Sequence, residues 1–283
     1  MEVIDTAAAL LILLNGISNL PTKPPSLYLD LKGIRLGRNG SISILTLHVR
    51  PTQKNYLIDI HILGEVAFTT TNGRGVSLRS ILESPTIPKV VFDIRNDSDA
   101  LFSHYNIQVD GIKDLQLMEL ATRNSSRDLL AGLARCIERE FPTSFAAKDH
   151  WRRTKEAGIR LYHPAKGGRY EVFNDRPMSP AIKEYCTGDA AMLPYLYDLY
   201  NVRLHPPRGG GAFWRIQVRE ETKKRISRSR HPNYDGYSRT KIYGPWDQWN
   251  LEDAKDAWNA EIMFNALGGN MMLNDDDEWV PAP

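Results

Sequence analysis

The sequence predicts an α/β domain, in which helices cover a mixed β-sheet, followed by a C-terminal extension. Three β-type segments come first, at residues 26–31, 41–49 and 55–60. A strand then leads directly into a helix over residues 89–104, and from residue 114 onward the apolar residues recur mainly at helical spacing. Strands, then strand–helix alternation, then helices are typical of a mixed sheet covered by helices.

Composition is consistent with an intracellular globular protein. The 283 residues suffice to bury a full-sized core, and 36 basic against 34 acidic residues give a net charge of only +2, which indicates no particular partner. Cys136 and Cys186 lie far apart and have no metal-ligand spacing. We therefore expect neither a disulfide framework nor a structural zinc site, and a reducing compartment, cytoplasmic or nuclear.

The first apolar run, residues 7–14, predicts a buried helix. It is far shorter than the ~20 residues that span a bilayer. Glu2 and Asp5 precede it, whereas a signal peptide starts with basic residues. Asp5 and Thr6 are typical N-cap residues, so we expect a soluble protein without a membrane segment.

The next three segments predict a β-meander. Residues 26–31 (SLYLDL) form its first strand, residues 41–49 (SISILTLHV) alternate apolar and polar side chains, and residues 55–60 (NYLIDI) form its third strand. Beyond it we predict a helix over 78–83, a strand over 89–94, a helix over 97–104, mostly helical structure over 114–160 and a helix over 180–200.

A segment rich in Pro and Gly, residues 205–211, predicts the end of this domain. Residues 203–241 contain eleven Lys or Arg against three acids, whereas residues 250–283 contain eight acids and one base. The predicted parts are an α/β domain over 1–205, a basic, aromatic-containing extension over 206–249, and an amphipathic helix with an acidic tail over 250–283. The tail from residue 274 has the composition of a disordered segment.

Three short segments place acidic side chains at strand ends or helix starts. They are residues 29–33 (LDLKG), residues 89–97 (KVVFDIRND) and residues 184–189 (EYCTGD). In order, spacing and setting they resemble the three motifs of the DEDDy-type 3′–5′ exonucleases, the group of ribonuclease D, Werner-type and egalitarian-like exonucleases. The resemblance spans roughly residues 5–205.

This resemblance implies a ribonuclease H-like fold and metal-dependent cleavage at single-stranded 3′ ends of RNA or DNA. It implies that Asp30, Asp97 and Asp189 hold Mg²⁺ or Mn²⁺ and that Tyr185 orients the attacking water. Tyr185 and Asp189 are four residues apart, so a helix presents both on one face. Two divalent ions ~3.5–4 Å apart activate water and stabilise the leaving oxygen, and such hard cations prefer carboxylate oxygens.

Lys32 departs from the family pattern Asp-x-Glu, in which the glutamate is a metal ligand. The replacement changes the local charge by two units, and the ammonium can pair with Asp30 and Asp189 in the place of a cation. Two hypotheses remain open. The first is an exonuclease weakened by Lys32, in which Asp93 or Glu184 substitutes as a ligand. The second is a catalytically inactive exonuclease-fold protein that binds nucleic acid or a protein partner.

Other acidic residues have ordinary structural interpretations. Asp97 is preferred to Asp93 as the second-motif ligand, because it begins the helix and is followed four residues later by Leu101, as in the family. Asp93 is then a local hydrogen-bonding residue. Asp59 and Asp114 fit turn or capping roles better than metal binding.

The basic run over residues 219–230 predicts a nucleic-acid contact, since Lys and Arg clusters contact phosphates and interleaved aromatic rings stack on unpaired bases. The candidates are Lys223, Lys224, Arg225, Arg228 and Arg230, with Tyr234, Tyr237, Tyr243, Trp246 and Trp249. The alternative is a solvated helix face that pairs with the acidic tail. Residues 251–267 predict an amphipathic helix that packs on the core or binds a protein partner.

Overall fold

The computed structural model of the protein describes residues 1–142, 146–207, 211–274 and 277–283. Its central sheet has six strands: β1 (Glu2–Ile4), β2 (Leu27–Lys32), β3 (Ile44–Val49), β4 (Lys54–Asp59), β5 (Lys89–Val91) and β6 (Ile112–Asp114). The order across the sheet is β1-β4-β3-β2-β5-β6. Strand β3 is antiparallel to β2 and β4, and the other three pairings are parallel. The predicted mixed sheet and its meander are confirmed.

Helices cover this sheet. Those that precede or connect its strands are α1 (Ala7–Ile17), α2 (Ile60–Leu63), α3 (Val66–Thr69), α4 (Leu78–Glu83) and α5 (Arg95–Tyr105). Those that follow the sheet are α6 (Leu115–Thr122), α7 (Leu133–Glu140), α8 (Ala146–Tyr162), α9 (Pro180–Leu204), α10 (Ala212–Arg230) and α11 (Gln248–Ile262). In the part of the chain that the structure describes, no helix combines the length and apolar character needed to cross a membrane.

Strand β2 shows how the alternation of the sequence positions the site. Leu27, Leu29 and Leu31 belong to the core cluster that includes residues of α1. The intervening residues, among them Asp30 and Lys32, point to the opposite face of the sheet, because successive strand side chains alternate. Helix α9 packs against that face.

Polar caps fix where several helices begin. Thr6, Asp59 and Asp114 accept hydrogen bonds from the first turns of α1, α2 and α6, at 3.2, 3.1 and 3.0 Å. Ser179 caps α9, and Pro180 occupies its first position, where a missing N–H costs nothing. The capping role predicted for Asp59 and Asp114 is confirmed.

Helix α10 packs as part of the main domain. It lies against α5, α6 and β6, and its residues Val218 and Ile226 belong to the buried clusters that also contain sheet residues. Arg225 is 4% exposed, and its Nη1 lies 2.7 Å from Oδ2 of the fully buried Asp114. The fold therefore continues past residue 205. Residues 208–210 of the expected linker lie outside the described residues.

The burial of Arg225 corrects its assignment as a nucleic-acid contact. Its guanidinium is committed to Asp114 inside the protein, where no phosphate can reach it. The other four candidates remain at or near the surface of α10: Lys223, Lys224, Arg228 and Arg230. Three of them pair with glutamates of the same helix.

The acidic tail is ordered in the residues that the structure describes, contrary to the expectation of disorder. Strand β7 (Met271–Leu273) pairs with β8 (Trp279–Pro281), and residues 275–276 between them lie outside the described residues. Arg215 of α10 pairs with Asp277 at 2.5 Å. Helix α11 contains no buried residue, so its suggested binding of a protein partner stays a prediction.

Replacing Arg225 by alanine is expected to lower the free energy of unfolding by about 3–5 kcal/mol, because the buried Asp114 carboxylate loses its charge partner. Chemical denaturation followed by circular dichroism measures this change. The matched control is Arg228→Ala on the same helix, whose side chain is 69% exposed. Arg228→Ala should change the free energy of unfolding by less than about 0.5 kcal/mol. Equal losses for the two variants would contradict the structural role of the pair.

Candidate active site

Three elements bring the motif residues together. Strand β2 carries Asp30 and Lys32, the first turn of α5 carries Asp97, and α9 carries Tyr185 and Asp189. Because β2 and β5 are parallel neighbours, their carboxyl ends meet at one edge of the sheet. Helix α5 follows β5 closely and therefore begins beside the end of β2.

The ammonium group of Lys32 lies between two of the carboxylates. Its Nζ is 2.8 Å from Asp30 Oδ2 and 3.1 Å from Asp189 Oδ2. Burial opposes the charge of Lys32, but the two carboxylates raise its pKa well above the ordinary value. Lys32 is therefore a charged counter-ion for both aspartates.

A second lysine, Lys155 of α8, reaches the same site. Its Nζ lies 2.6 Å from Oδ2 and 2.8 Å from Oδ1 of Asp189, and the indole N–H of Trp151 donates to Oδ1 at 3.2 Å. Burial alone would raise the pKa of Asp189, but Lys32 and Lys155 lower it to about 2. Both oxygens of Asp189 are thus engaged by donors of this chain.

The packing of α8 explains why Lys155 arrives there. Trp151, Lys155 and Gly158 recur at i, i+4 and i+7 and so share one helix face, and α8 packs against α9. At Gly158 a Cβ would lie 2.2 Å from Cδ2 of Tyr185, so only glycine permits this approach. The i, i+4, i+7 spacing of Trp151, Lys155 and Gly158 is the one sequence signal that points to Lys155. Because the chain has 36 basic residues, this signal does not single Lys155 out.

Tyr185 packs against the two lysines. The centroid of its ring lies 5.2 Å from Lys32 Nζ and 5.0 Å from Lys155 Nζ, and the rings of Tyr162 and Phe173 pack nearby. Burial, opposed by Lys32, raises the pKa of Tyr185 well above its ordinary value. The phenol is therefore neutral at physiological pH.

Asp97 is the least compensated carboxylate of the three. It is half-buried. Burial first, and then the charges of Asp30 and Asp93, raise its pKa well above the ordinary value, although Lys32 and Lys241 act in the opposite direction. An additional positive charge beside Asp97 would therefore stabilise its ionised form.

Neither Asp93 nor Glu184 takes the place of the missing glutamate. The Asp93 carboxylate accepts from Arg95 Nε at 2.6 Å and from Arg95 Nη2 at 2.8 Å, which makes it the local hydrogen-bonding residue that the sequence suggests. Glu184 is exposed, and its five-residue separation from Asp189 turns it away from the site on α9. The expectation that one of them substitutes as a metal ligand is wrong for this arrangement.

The loop after α10 forms an outer wall of the site that the sequence motifs do not include. Tyr234 donates its hydroxyl proton to Asn96 Oδ1 at 3.0 Å. Lys241 Nζ donates to the same oxygen at 2.5 Å and to the carbonyl of Gly236 at 3.0 Å. Because Asn96 directly precedes Asp97, these bonds fix residues 234–241 beside the site.

The residues present do not fit a pair of divalent cations in this arrangement. Hard cations require free oxygen ligands, and Oδ2 of Asp30 and both oxygens of Asp189 already contact ammonium groups. Three carboxylates and two lysines leave one net negative charge to balance two divalent ions. Across residues 1–142, 146–207, 211–274 and 277–283, no three His, Cys, Asp or Glu side chains form a metal-binding group.

Residues 1–204 match the sequence model of a family described as 3′–5′ exonuclease. No curated protein matches the sequence.

Solved structures with the same fold include two ribonucleases and one metal-bound protein. Trypanosoma brucei RNase D in complex with RNA U12 has a TM-score of 0.64 and 18% identity, over 89% of this chain and 78% of that chain. Escherichia coli RNase D has a TM-score of 0.51 and 15% identity, over 81% and 50%. Brucella melitensis NrnC with bound Mg²⁺ has a TM-score of 0.51 and 15% identity, over 84% and 97%. The family match over most of the chain, on a sheet and helices of the RNase D type, shows that this chain belongs to the 3′–5′ exonuclease family.

Proposed function

We propose that the protein binds single-stranded 3′ ends of RNA or DNA at this site and that Lys32 suppresses their hydrolysis. The observation that carries the proposal is the position of Lys32 Nζ, 2.8 Å from Asp30 and 3.1 Å from Asp189. Family membership supports a nucleic-acid ligand. So does the similarity to an RNase D that was solved with RNA.

The charge of the site favours binding without a metal. A cluster of carboxylates repels the phosphodiester backbone unless cations neutralise it. Here Lys32 and Lys155 reduce three negative charges to one, so a terminal phosphate meets far less repulsion. The neutral side chain of Tyr185 beside these lysines adds no further negative charge.

A second candidate function is metal-dependent hydrolysis at a low rate. Asp97 favours it, because burial and its acidic neighbours leave this carboxylate poorly compensated. A divalent cation would supply the charge that activates water in this family. Asp97 and Asp30 are the residues of this chain with the oxygens to attract it, once Lys32 moves aside.

Lys32→Glu is expected to raise the rate of 3′–5′ cleavage in Mg²⁺ or Mn²⁺ by about 10- to 100-fold. The variant removes the ammonium from Asp30 and Asp189 and adds a carboxylate, and changes around metal ligands have effects of this size. Shortening of 5′-labelled single-stranded RNA and DNA measures the rate.

Two further variants test the origin of the increase in cleavage rate. Lys32→Gln removes the ammonium without adding a ligand, so it should raise the cleavage rate less than Lys32→Glu does. Asp97→Ala in the Lys32→Glu background should abolish cleavage if this site performs it. Cleavage by the unaltered protein as fast as by Lys32→Glu would overturn the suppression and favour the second candidate.

Lys155→Met combined with Lys32→Glu is expected to increase cleavage by a further factor of about 10, because Lys155 otherwise pairs with Asp189, a carboxylate that a metal needs. The same cleavage assay applies. Arg152→Met is the matched control, since Arg152 lies on the same helix and pairs with Asp149 instead. No difference between these two double variants would show that Lys155 does not compete with metal.

The unaltered protein should bind a fluorescent single-stranded oligonucleotide in the presence of EDTA. The logarithm of its affinity should fall linearly with the logarithm of salt concentration, by about 0.7 for each phosphate contact. Alanine at Lys224 or Arg228 should reduce that slope if α10 contributes contacts. Affinity that does not respond to salt, or no binding at all, would contradict nucleic-acid recognition.

A further inference from the structure

Arg35 and Tyr237 form an exposed pair of flat side chains next to the site. The guanidinium carbon of Arg35 lies 5.7 Å from the centroid of the Tyr237 ring. Arg35 is exposed, and Tyr237 is 57% exposed although it is aromatic. Arg35 follows the end of β2, five residues after Asp30, and Tyr237 belongs to the loop that is fixed beside Asp97.

The loop that carries Tyr237 is held firmly. The backbone N–H of Tyr237 donates to Asp235 Oδ1 at 2.8 Å. Gly236 passes so close to Asn96 that a Cβ would lie 2.9 Å from its Oδ1. Arg38 donates to three carbonyls of residues 229–232, at 2.5 to 2.9 Å, where α10 passes into the loop. Such anchoring presents the ring of Tyr237 at low entropic cost.

A cavity of about 170 Å³ lies beside the ring of Tyr237. It is lined by residues 37–39, Asp99 and residues 234–237. Its two acidic groups are already engaged, Asp99 by Arg38 at 2.8 Å and Asp235 by the backbone of Tyr237. The volume is below the ~300–1,000 Å³ of sites that enclose a drug-sized ligand. It suits one planar group lying against its wall.

We propose that Arg35 and Tyr237 form a stacking platform for one unpaired base of a strand whose 3′ end lies at Asp30 and Asp97. The proposal rests on the proposed function, because that function brings the strand to the site. Aromatic rings and guanidinium planes stack on every base, so the contact is independent of sequence.

The test is a binding titration in EDTA with a labelled single strand in which one abasic nucleotide is moved stepwise from the 3′ end. Tyr237→Ala should weaken binding of the intact strand by about 5- to 150-fold, the range of one lost base–aromatic stack. At one position of the strand, an abasic nucleotide should weaken binding to the unaltered protein relative to the intact strand. The same abasic strand should bind Tyr237→Ala as tightly as the intact strand does. Tyr237→Phe, which keeps the ring, should bind like the unaltered protein.

Phe264→Ala is the matched control. Phe264 is an aromatic residue of the C-terminal extension that is 78% exposed, and it is not one of the candidate nucleic-acid contacts. This variant should bind like the unaltered protein, and thermal denaturation should show that all variants are folded.

The outcomes distinguish this inference from the proposed function. Normal binding by Tyr237→Ala, or losses spread evenly over all abasic positions, would overturn the platform alone. Failure of the unaltered protein to bind any strand would overturn the proposed function, and the platform with it.

Discussion

One buried carboxylate, Asp114, ties together the elements that build the site. It accepts the backbone N–H groups of Asp93 and Ile94 at 3.0 and 3.3 Å, where β5 passes into α5. It caps α6 through the N–H of Gln116 and pairs with Arg225 of α10 at 2.7 Å. The start of α5, where Asp97 of the second motif lies, therefore depends on Asp114. Helix α10, which leads to the outer wall at residues 234–241, depends on the same side chain. Helix α10 of the C-terminal extension thus packs as part of the same core.

The site keeps the geometry of the exonuclease motifs while its charges are balanced differently. Lys32 stands two residues after Asp30 on a strand, so strand alternation directs both side chains to the same face. A lysine at this position therefore reaches the site, where its ammonium contacts Asp30 and Asp189. Lys155 adds a second ammonium from a different helix. These two side chains act as counter-ions of the aspartates within the fold of the family.

The sequence predicts well what local patterns encode. Alternation gives the meander, helical spacing gives the long helices, and the order of three short motifs gives the family and places Asp30, Asp97, Tyr185 and Asp189 together. Tertiary partners are not encoded in this way. Arg225 stands in a basic run like its neighbours, and its buried partner is 111 residues away in the chain. Lys155 belongs to the site only because a glycine lets α8 approach α9, and the pairing of the tail depends on distant Arg215.

The lysine counter-charges also bear on how the protein folds. Clustered carboxylates repel one another until a cation arrives, and that repulsion opposes the native state. In this chain Lys32 and Lys155 provide the neutralising charge as soon as β2, α8 and α9 assemble. The electrostatic stability of the assembled domain is consequently decoupled from the supply of divalent ions. The charge balance of these side chains in the native state therefore does not require a divalent ion.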